Sequence, residues 1–285
     1  MYESYWNLKK KPFEIGCDPE FYYPAPGHQA VLLKLRYILE TRRGNGLLLG
    51  ENGMGKSLLV TMLTELRRKG SMIGPFVEVN MPQFTSQDIL FYLAEKLESL
   101  PAPAPKIPGL PERVAGSEDQ PPVYKAFSAI ERVLKRLASE KQKPILVIEG
   151  ADRITDPEVW SALSSLTEAE YQGMPLLTLL LTAAPKKLTR PIPFVEEILE
   201  AAAELRPLDE DETAEYVYHR LQIAGADRHE IFTPHGLEAV YRLTGGIPRK
   251  INRLGDVALL VGFAEQLSKI DDEVIINLNN ELIPS

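Results

Sequence analysis

The chain has 285 residues, 44 % of them apolar and 25 % charged, and carries a formal net charge of −8 at pH 7. These fractions are those of an ordinary folded protein with ample core and exclude a disordered or fibrous chain, while the length suits one large domain plus a small one at about 100 to 200 residues each. The acidic balance argues against a protein built mainly to coat nucleic acid, and Cys17, the only cysteine, leaves no intrachain disulfide and fits a reducing compartment.

In chain order, Met1-Tyr2-Glu3-Ser4-Tyr5-Trp6 lacks a basic segment ahead of an apolar one, so no signal peptide is expected. Residues 1–30 are dense in aromatics and turn formers and read as an N-terminal arm packing on the core. From His28 to Thr41 apolar residues recur at helical spacing, and Gly46-Leu47-Leu48-Leu49 reads as a short buried strand. Leu58 to Leu66 is helical again, Pro75 to Asn80 alternates as a strand, and Ser86 N-caps a helix to Leu97. Prolines crowd the stretch from about 100 to 122, which predicts an exposed insertion or a docking segment for a partner. A helix follows over Val123 to Leu137, and Pro144 to Glu149 is an apolar run ending in a carboxylate, the form of a buried parallel strand. After a helix containing Trp160 and Leu163, Pro175 to Thr182 is another apolar strand, and the last strand is placed at Ala203 to Leu208.

Beyond that strand the pattern is purely helical. Asp209-Glu210-Asp211-Glu212 opens a helix stopped by Gly225, so this acidic run reads as capping. Thr233-Pro234 opens a second helix closed by Gly245-Gly246, and Pro248 starts a third. The expected architecture is α/β: a phosphate-loop, three-layer core with a parallel sheet over 31–208, followed by an all-helical lid over 209–285. The histidines at 28, 219, 229 and 235 show no metal-ligand spacing. The clusters Lys9-Lys10-Lys11, Arg42-Arg43, Arg67-Arg68-Lys69 and Lys186-Lys187 with Arg190 read as solvated surface.

The chemistry gathers at Gly50-Glu51-Asn52-Gly53-Met54-Gly55-Lys56-Ser57, which fits G-x-x-x-x-G-K-[ST] between a strand and a helix. Glycines at 50, 53 and 55 let successive N–H groups converge on a triphosphate at a helix N-terminus, where the dipole favours anions. Lys56 is expected to reach the β- and γ-phosphates, Ser57 to ligate magnesium, and Leu58 to complete the cofactor-binding set. Glu149, ending its strand, is the second magnesium candidate. The flat aromatic and proline surfaces of the arm suit either plain core or one wall of an adenine pocket.

The order of these parts, with Tyr5-Trp6-Asn7-Leu8, Pro12-Phe13, Asp18-Pro19, Leu205-Arg206-Pro207-Leu208 and Gly245-Gly246-Ile247-Pro248-Arg249-Lys250-Ile251-Asn252, resembles AAA+ ATPases of the general secretion pathway protein A (ExeA) type. The resemblance covers essentially the whole chain. It implies that Gly50 to Ser57 is Walker A, that Glu149 occupies the Walker B magnesium position, and that Arg249 is a sensor 2 arginine reaching the γ-phosphate from the lid. It also implies ATP or ADP with Mg2+ as cofactors and a homo-oligomer. The implied partners are protein components of a secretion, pilus or polysaccharide export apparatus, with DNA as the less favoured partner. The larger members continue into a membrane helix and a periplasmic domain; here a cytoplasmic location without direct membrane insertion is expected.

Three departures from the family pattern bear on hydrolysis. Where the family has Asp-Glu-Ala-Gln, this chain has Glu149-Gly150-Ala151-Asp152, so the acid that polarises the attacking water is replaced by Gly150. Such a loss typically costs about 10²- to 10⁴-fold in rate, with Asp152 as the candidate substitute. The Gly-Gln-Pro segment at sensor 1 is Ala183-Ala184-Pro185, with Thr182 the nearest polar replacement, and a trans-acting arginine position is Ile198. The expectation is an ATP-binding switch with weak or absent turnover.

Overall fold

In the computed structural model, which describes residues 1–41, 44–70, 74–80, 86–100, 122–185, 199–226 and 231–282, the apolar runs become strands. These are β1 (Asn45–Leu49), β2 (Phe76–Asn80), β3 (Ile145–Glu149), a hairpin of β4 (Glu170–Tyr171) and β5 (Met174–Pro175), β6 (Thr178–Ala183) and β7 (Leu199–Glu204). The order in the main sheet is β2-β3-β6-β1-β7, and the β2–β3, β3–β6 and β6–β1 pairs are parallel. All six residues of β6 are buried, which is why that run is apolar without alternation. The helices are α1 (Pro26–Thr41), α2 (Lys56–Arg68), α3 (Ser86–Glu98), α4 (Pro122–Ser139), α5 (Pro157–Thr167), α6 (Glu210–Ile223), α7 (Pro234–Thr244), α8 (Pro248–Ala264) and α9 (Asp272–Leu282). The α/β core with a parallel sheet and a C-terminal all-helical lid is therefore as the sequence predicts.

The chain divides into two units. One comprises Lys34–Leu49 with Leu66–Ala203 and holds the sheet. Val79, Ile89, Ile130, Leu134, Ile148, Leu163 and Leu181 lie in its core, joining the strands to α3, α4 and α5. Asn45, only 9 % exposed, accepts a hydrogen bond from the Leu179 N–H at 2.7 Å and so fixes where β1 meets β6. At the far edge, Lys34 Nζ donates to the Ala202 carbonyl at 2.7 Å, spending an acceptor of the edge strand β7. That strand runs Leu199–Glu204 rather than Ala203 to Leu208; Pro207, which lacks an N–H, bars a ladder from reaching the expected end. The hairpin was not foreseen: its two-residue loop puts Gln172 and Gly173 at φ of 54° and 74°, the geometry of a tight turn.

The second unit comprises Met1–Leu33, Gly50–Glu65 and Glu204–Ser285. Tyr2, Trp6 and Phe13 of the N-terminal segment share one core with Val217, Leu221, Leu237, Val240, Leu254 and Leu259 of the lid helices. The Trp6 indole N–H donates to the Leu259 carbonyl at 2.9 Å, and Tyr2 Oη donates to Asp256 at 2.5 Å. Arg220, 5 % exposed, reaches the same segment: its guanidinium donates to the Pro12 and Glu14 carbonyls and lies 4.6 Å from the Phe21 ring centroid. The lid helices begin where the caps predict. Asp209 and Glu212 form a reciprocal capping box on α6, and Thr233 Oγ1 accepts from the Gly236 N–H at 3.0 Å on α7. The helix α9 is an addition to the three lid helices read from sequence. The proline-rich insertion apart from its two ends, Ile198, Arg42-Arg43 and Lys186-Lys187 with Arg190 lie outside the described residues.

Candidate functional site

The loop Gly50–Ser57 turns where glycine permits it. Gly53 and Gly55 have φ of 90° and 94°, in the left-handed region that L side chains rarely adopt. A Cβ on Gly53 would also stand 2.6 Å from the Arg249 Cβ, so this position is glycine for two independent reasons. Lys56 Nζ donates to the Gly50 carbonyl at 2.6 Å and to the Glu51 carbonyl at 3.2 Å, so its ammonium lies over the loop's own backbone. Met54, 1 % exposed, anchors the loop, and its carbonyl accepts from His28 Nε2 at 3.1 Å. Because a carbonyl only accepts, this bond fixes the proton of the His28 ring on Nε2. Burial lowers the His28 pKa below its ordinary value and keeps the ring neutral.

The start of α8 reaches the same loop. The Arg249 N–H donates to the Gly53 carbonyl at 3.1 Å, while its side chain is exposed. The structure thus brings the sensor 2 candidate and the phosphate loop together within one unit. Beside them lies a cleft walled by Tyr22, Tyr23, Met54, Leu58, Leu208 and Pro248, with His28, Gly55, Leu59 and Tyr216 also lining it. Of the two readings of the aromatic arm, Tyr22 and Tyr23 are cleft wall, whereas Trp6 and Phe13 are core.

The acidic candidates belong to the other unit. Glu149 is the last residue of β3, in register with Thr182 on β6 and with Asn80 on β2. The next residue, Gly150, has φ 72° and ψ 41°, and its N–H donates to Thr182 Oγ1 at 3.2 Å. A short 3-10 turn, Ala151–Arg153, follows, and Asp152 Oδ1 accepts from the Ala184 N–H at 3.1 Å. Gly150 is thus joined to Thr182, and Asp152 to Ala184. Asp152 is engaged in holding the end of β6, which the sequence did not reveal. Sequence reasoning also passed over Glu78, two positions before the end of β2. Burial, together with the Glu149 charge, raises its carboxyl pKa above the ordinary range. The available signal was the i, i+2 spacing of Glu78 and Asn80 on the strand register-paired with Glu149.

A glycine-turned loop opening a helix, a cleft beside it and a helical lid that touches the loop define a phosphate-loop nucleotide-binding protein. The chain belongs to the AAA domain family, whose profile matches residues 39–190, more than half of its length. It is 30 % identical over 275 residues to general secretion pathway protein A of Aeromonas hydrophila, which covers 95 % of this chain and 46 % of that one. It is 24 % identical over 252 residues to an uncharacterized HTH-type transcriptional regulator of Methanocaldococcus jannaschii, covering 81 % of this chain and 61 % of the relative. The chain thus spans about half the length of the curated relatives it matches. In fold it is similar to the Aeropyrum pernix ORC2 protein, solved in ADPNP-ADP complexes. The TM-score is 0.64 at 14 % identity, over 96 % of this chain and 72 % of that one. Among the described residues no helix is long and apolar enough to cross a membrane.

Proposed function

We propose that this protein binds Mg-ATP and uses it as a conformational or assembly switch, with hydrolysis slow or absent. The observation that carries the reading is Gly150. By the resemblance Gly150 stands where the family has its water-activating acid, and here it has a left-handed backbone and an N–H bonded to Thr182, while Gly50 to Ser57 matches the phosphate-loop pattern in full. In this reading Gly50 to Ser57 and Leu58 hold the nucleotide, Lys56 contacts the β- and γ-phosphates, and Arg249 reports the γ-phosphate to the lid. The Ser57 hydroxyl is a hard oxygen donor of the type magnesium takes and would hold the ion with water and phosphate oxygens completing its shell, and Glu149, a carboxylate of the other unit, is kept as the second candidate donor. When bound, the ion neutralises phosphate charge. Asp152 is kept as the candidate for residual water activation, through its second oxygen.

The identity to general secretion pathway protein A supports service in a secretion, pilus or polysaccharide export system as a cytoplasmic homo-oligomer. The HTH-type relative favours a second reading, a DNA-binding ATPase regulator, which predicts duplex binding that weakens steeply with salt as counterions are released. The deciding experiment is ATP binding and phosphate release on the purified protein and on Lys56→Ala. The expected outcome is Mg-dependent ATP binding lost in Lys56→Ala, with turnover at least about 10²-fold below the ~10 per second of ordinary enzymes. Turnover at about 1 per second or faster would overturn the switch reading.

A further inference from the structure

Helix α8 packs against α6, α7 and α9, and the N-terminal segment lies along a further flank, with Tyr2 on Asp256 and Trp6 on Leu259. One side is left open. It carries Arg249, Lys250 and Arg253 in the first two turns, then Val257, Leu260, Val261 and Ala264, all exposed or half-buried. At 3.6 residues per turn these fall within about 120° of one another. Leu260 is 44 % exposed. The cations do nothing for α8 itself: its first turn has no acid, and positive charge there opposes the helix dipole. Arg253 stands four residues after Arg249 and three after Lys250, spacings at which like charges repel. Asp256, three residues on from Arg253, accepts from Tyr2 instead.

Helix α9 presents the opposite pattern. Asp272 and Glu273 open it, and Ile276, 39 % exposed, follows on the same side, while Ile275 and Leu278 are buried. Among the described residues Lys250, Arg253, Asp272 and Glu273 form no ion pair. Charge followed by apolar surface thus runs in the same order along both helices, with opposite sign.

We propose that the lids of two copies of this chain dock through these faces, α8 of one against α9 of the other. Asp272 and Glu273 then meet Lys250 and Arg253, and Ile276 meets Val257 and Leu260. A two-fold axis repeats the contact and closes a dimer. A nucleic-acid backbone would satisfy the cations but neither Leu260 nor the acids of α9. Arg249 is left to the nucleotide. This contact rests on the homo-oligomer reading above and needs no nucleotide. A face one helix wide gives a weak, reversible association.

The test is sedimentation of the nucleotide-free protein over a range of micromolar concentrations. It compares wild type, Lys250→Glu with Arg253→Glu, Asp272→Lys with Glu273→Lys, and an equal mixture of the two variants. Wild type is expected to dimerise reversibly, and each variant alone at least about tenfold more weakly. The mixture should recover the dimer, because a reversed face then meets its reversed counterpart at both contacts. Raising salt should weaken the wild-type dimer several-fold. The proposal is overturned if either variant dimerises like wild type, or if the mixture stays monomeric while both variants melt like wild type. The salt arm uses unaltered protein, so a misfolded variant does not shield the idea: a wild-type dimer indifferent to salt overturns it. Wild type that is monomeric alone but assembles with Mg-ATP, where Lys56→Ala does not, sinks the lid contact and leaves the switch reading standing. Wild type that is monomeric with and without Mg-ATP sinks the homo-oligomer reading and this contact with it.

Discussion

Gly150 lacks a side chain and also lies at φ 72°, with its nearest neighbour for an added Cβ being Arg153 Nε at 3.2 Å. Putting an acid back at this position therefore meets a backbone penalty of about 1–2 kcal/mol. Gly150→Glu is expected to melt earlier than wild type without gaining phosphate release; a rise to about 1 turnover per second would show that the side chain alone was missing. His28 supports a second prediction through its proton. Its folded pKa is depressed below 6.5, so the unfolded chain takes up the proton first as pH falls. The stability carried by neutral His28 is complete above that value and is lost as pH drops below it. His219, also lowered by burial, acts in the same direction, whereas the raised Glu78 carboxyl acts in the opposite one at lower pH. The melting temperature should fall from about pH 7.5 to about 5.5, and less steeply in His28→Gln. Equal slopes would place the sensitivity elsewhere.

Among the lid helices, α6 does two jobs. Its N-terminus is closed by the Asp209–Glu212 box, so Asp209→Ala should cost about 1 kcal/mol of stability, read from denaturant unfolding. Further along, Arg220 crosses to the N-terminal segment. The Pro12 and Glu14 carbonyls depend on it for donors, and among the described residues its charge is met by carbonyls, a hydroxyl and aromatic rings, with no carboxylate pair. Arg220→Met keeps much of the stem packing and removes those donors. We expect a loss of about 2–3 kcal/mol, with the first 20 or so residues becoming sensitive to protease before the lid does. Digestion of lid and segment at one rate would show that Arg220 does not hold this segment separately.

For the molecule as a whole, the switch reading predicts that Mg-ATP alters hydrodynamic radius or oligomeric state in wild type and leaves Lys56→Ala unchanged, as followed by sedimentation; a response retained in Lys56→Ala would separate it from the loop. Strands, helices, caps and the phosphate loop were legible before any coordinates, because each depends on residues within about four positions of one another. Thr233-Pro234, Asp209 with Glu212, and Gly50 to Ser57 are local signals of this kind. The β4–β5 hairpin was missed because its strands are two residues long, too short for an alternation to register. Glu78 was missed because its spacing to Asn80 gains meaning only once β2 is seen paired in register with the strand that ends in Glu149. The amino-acid order alone was enough for the fold class and for the loop that marks the nucleotide site. Only the folded chain could decide that Arg249 N–H meets the Gly53 carbonyl, and that Gly150 and Asp152 are tied to Thr182 and Ala184. These contacts join segments far apart in the chain, and packing of buried surfaces, which no short-range spacing encodes, sets which of them meet.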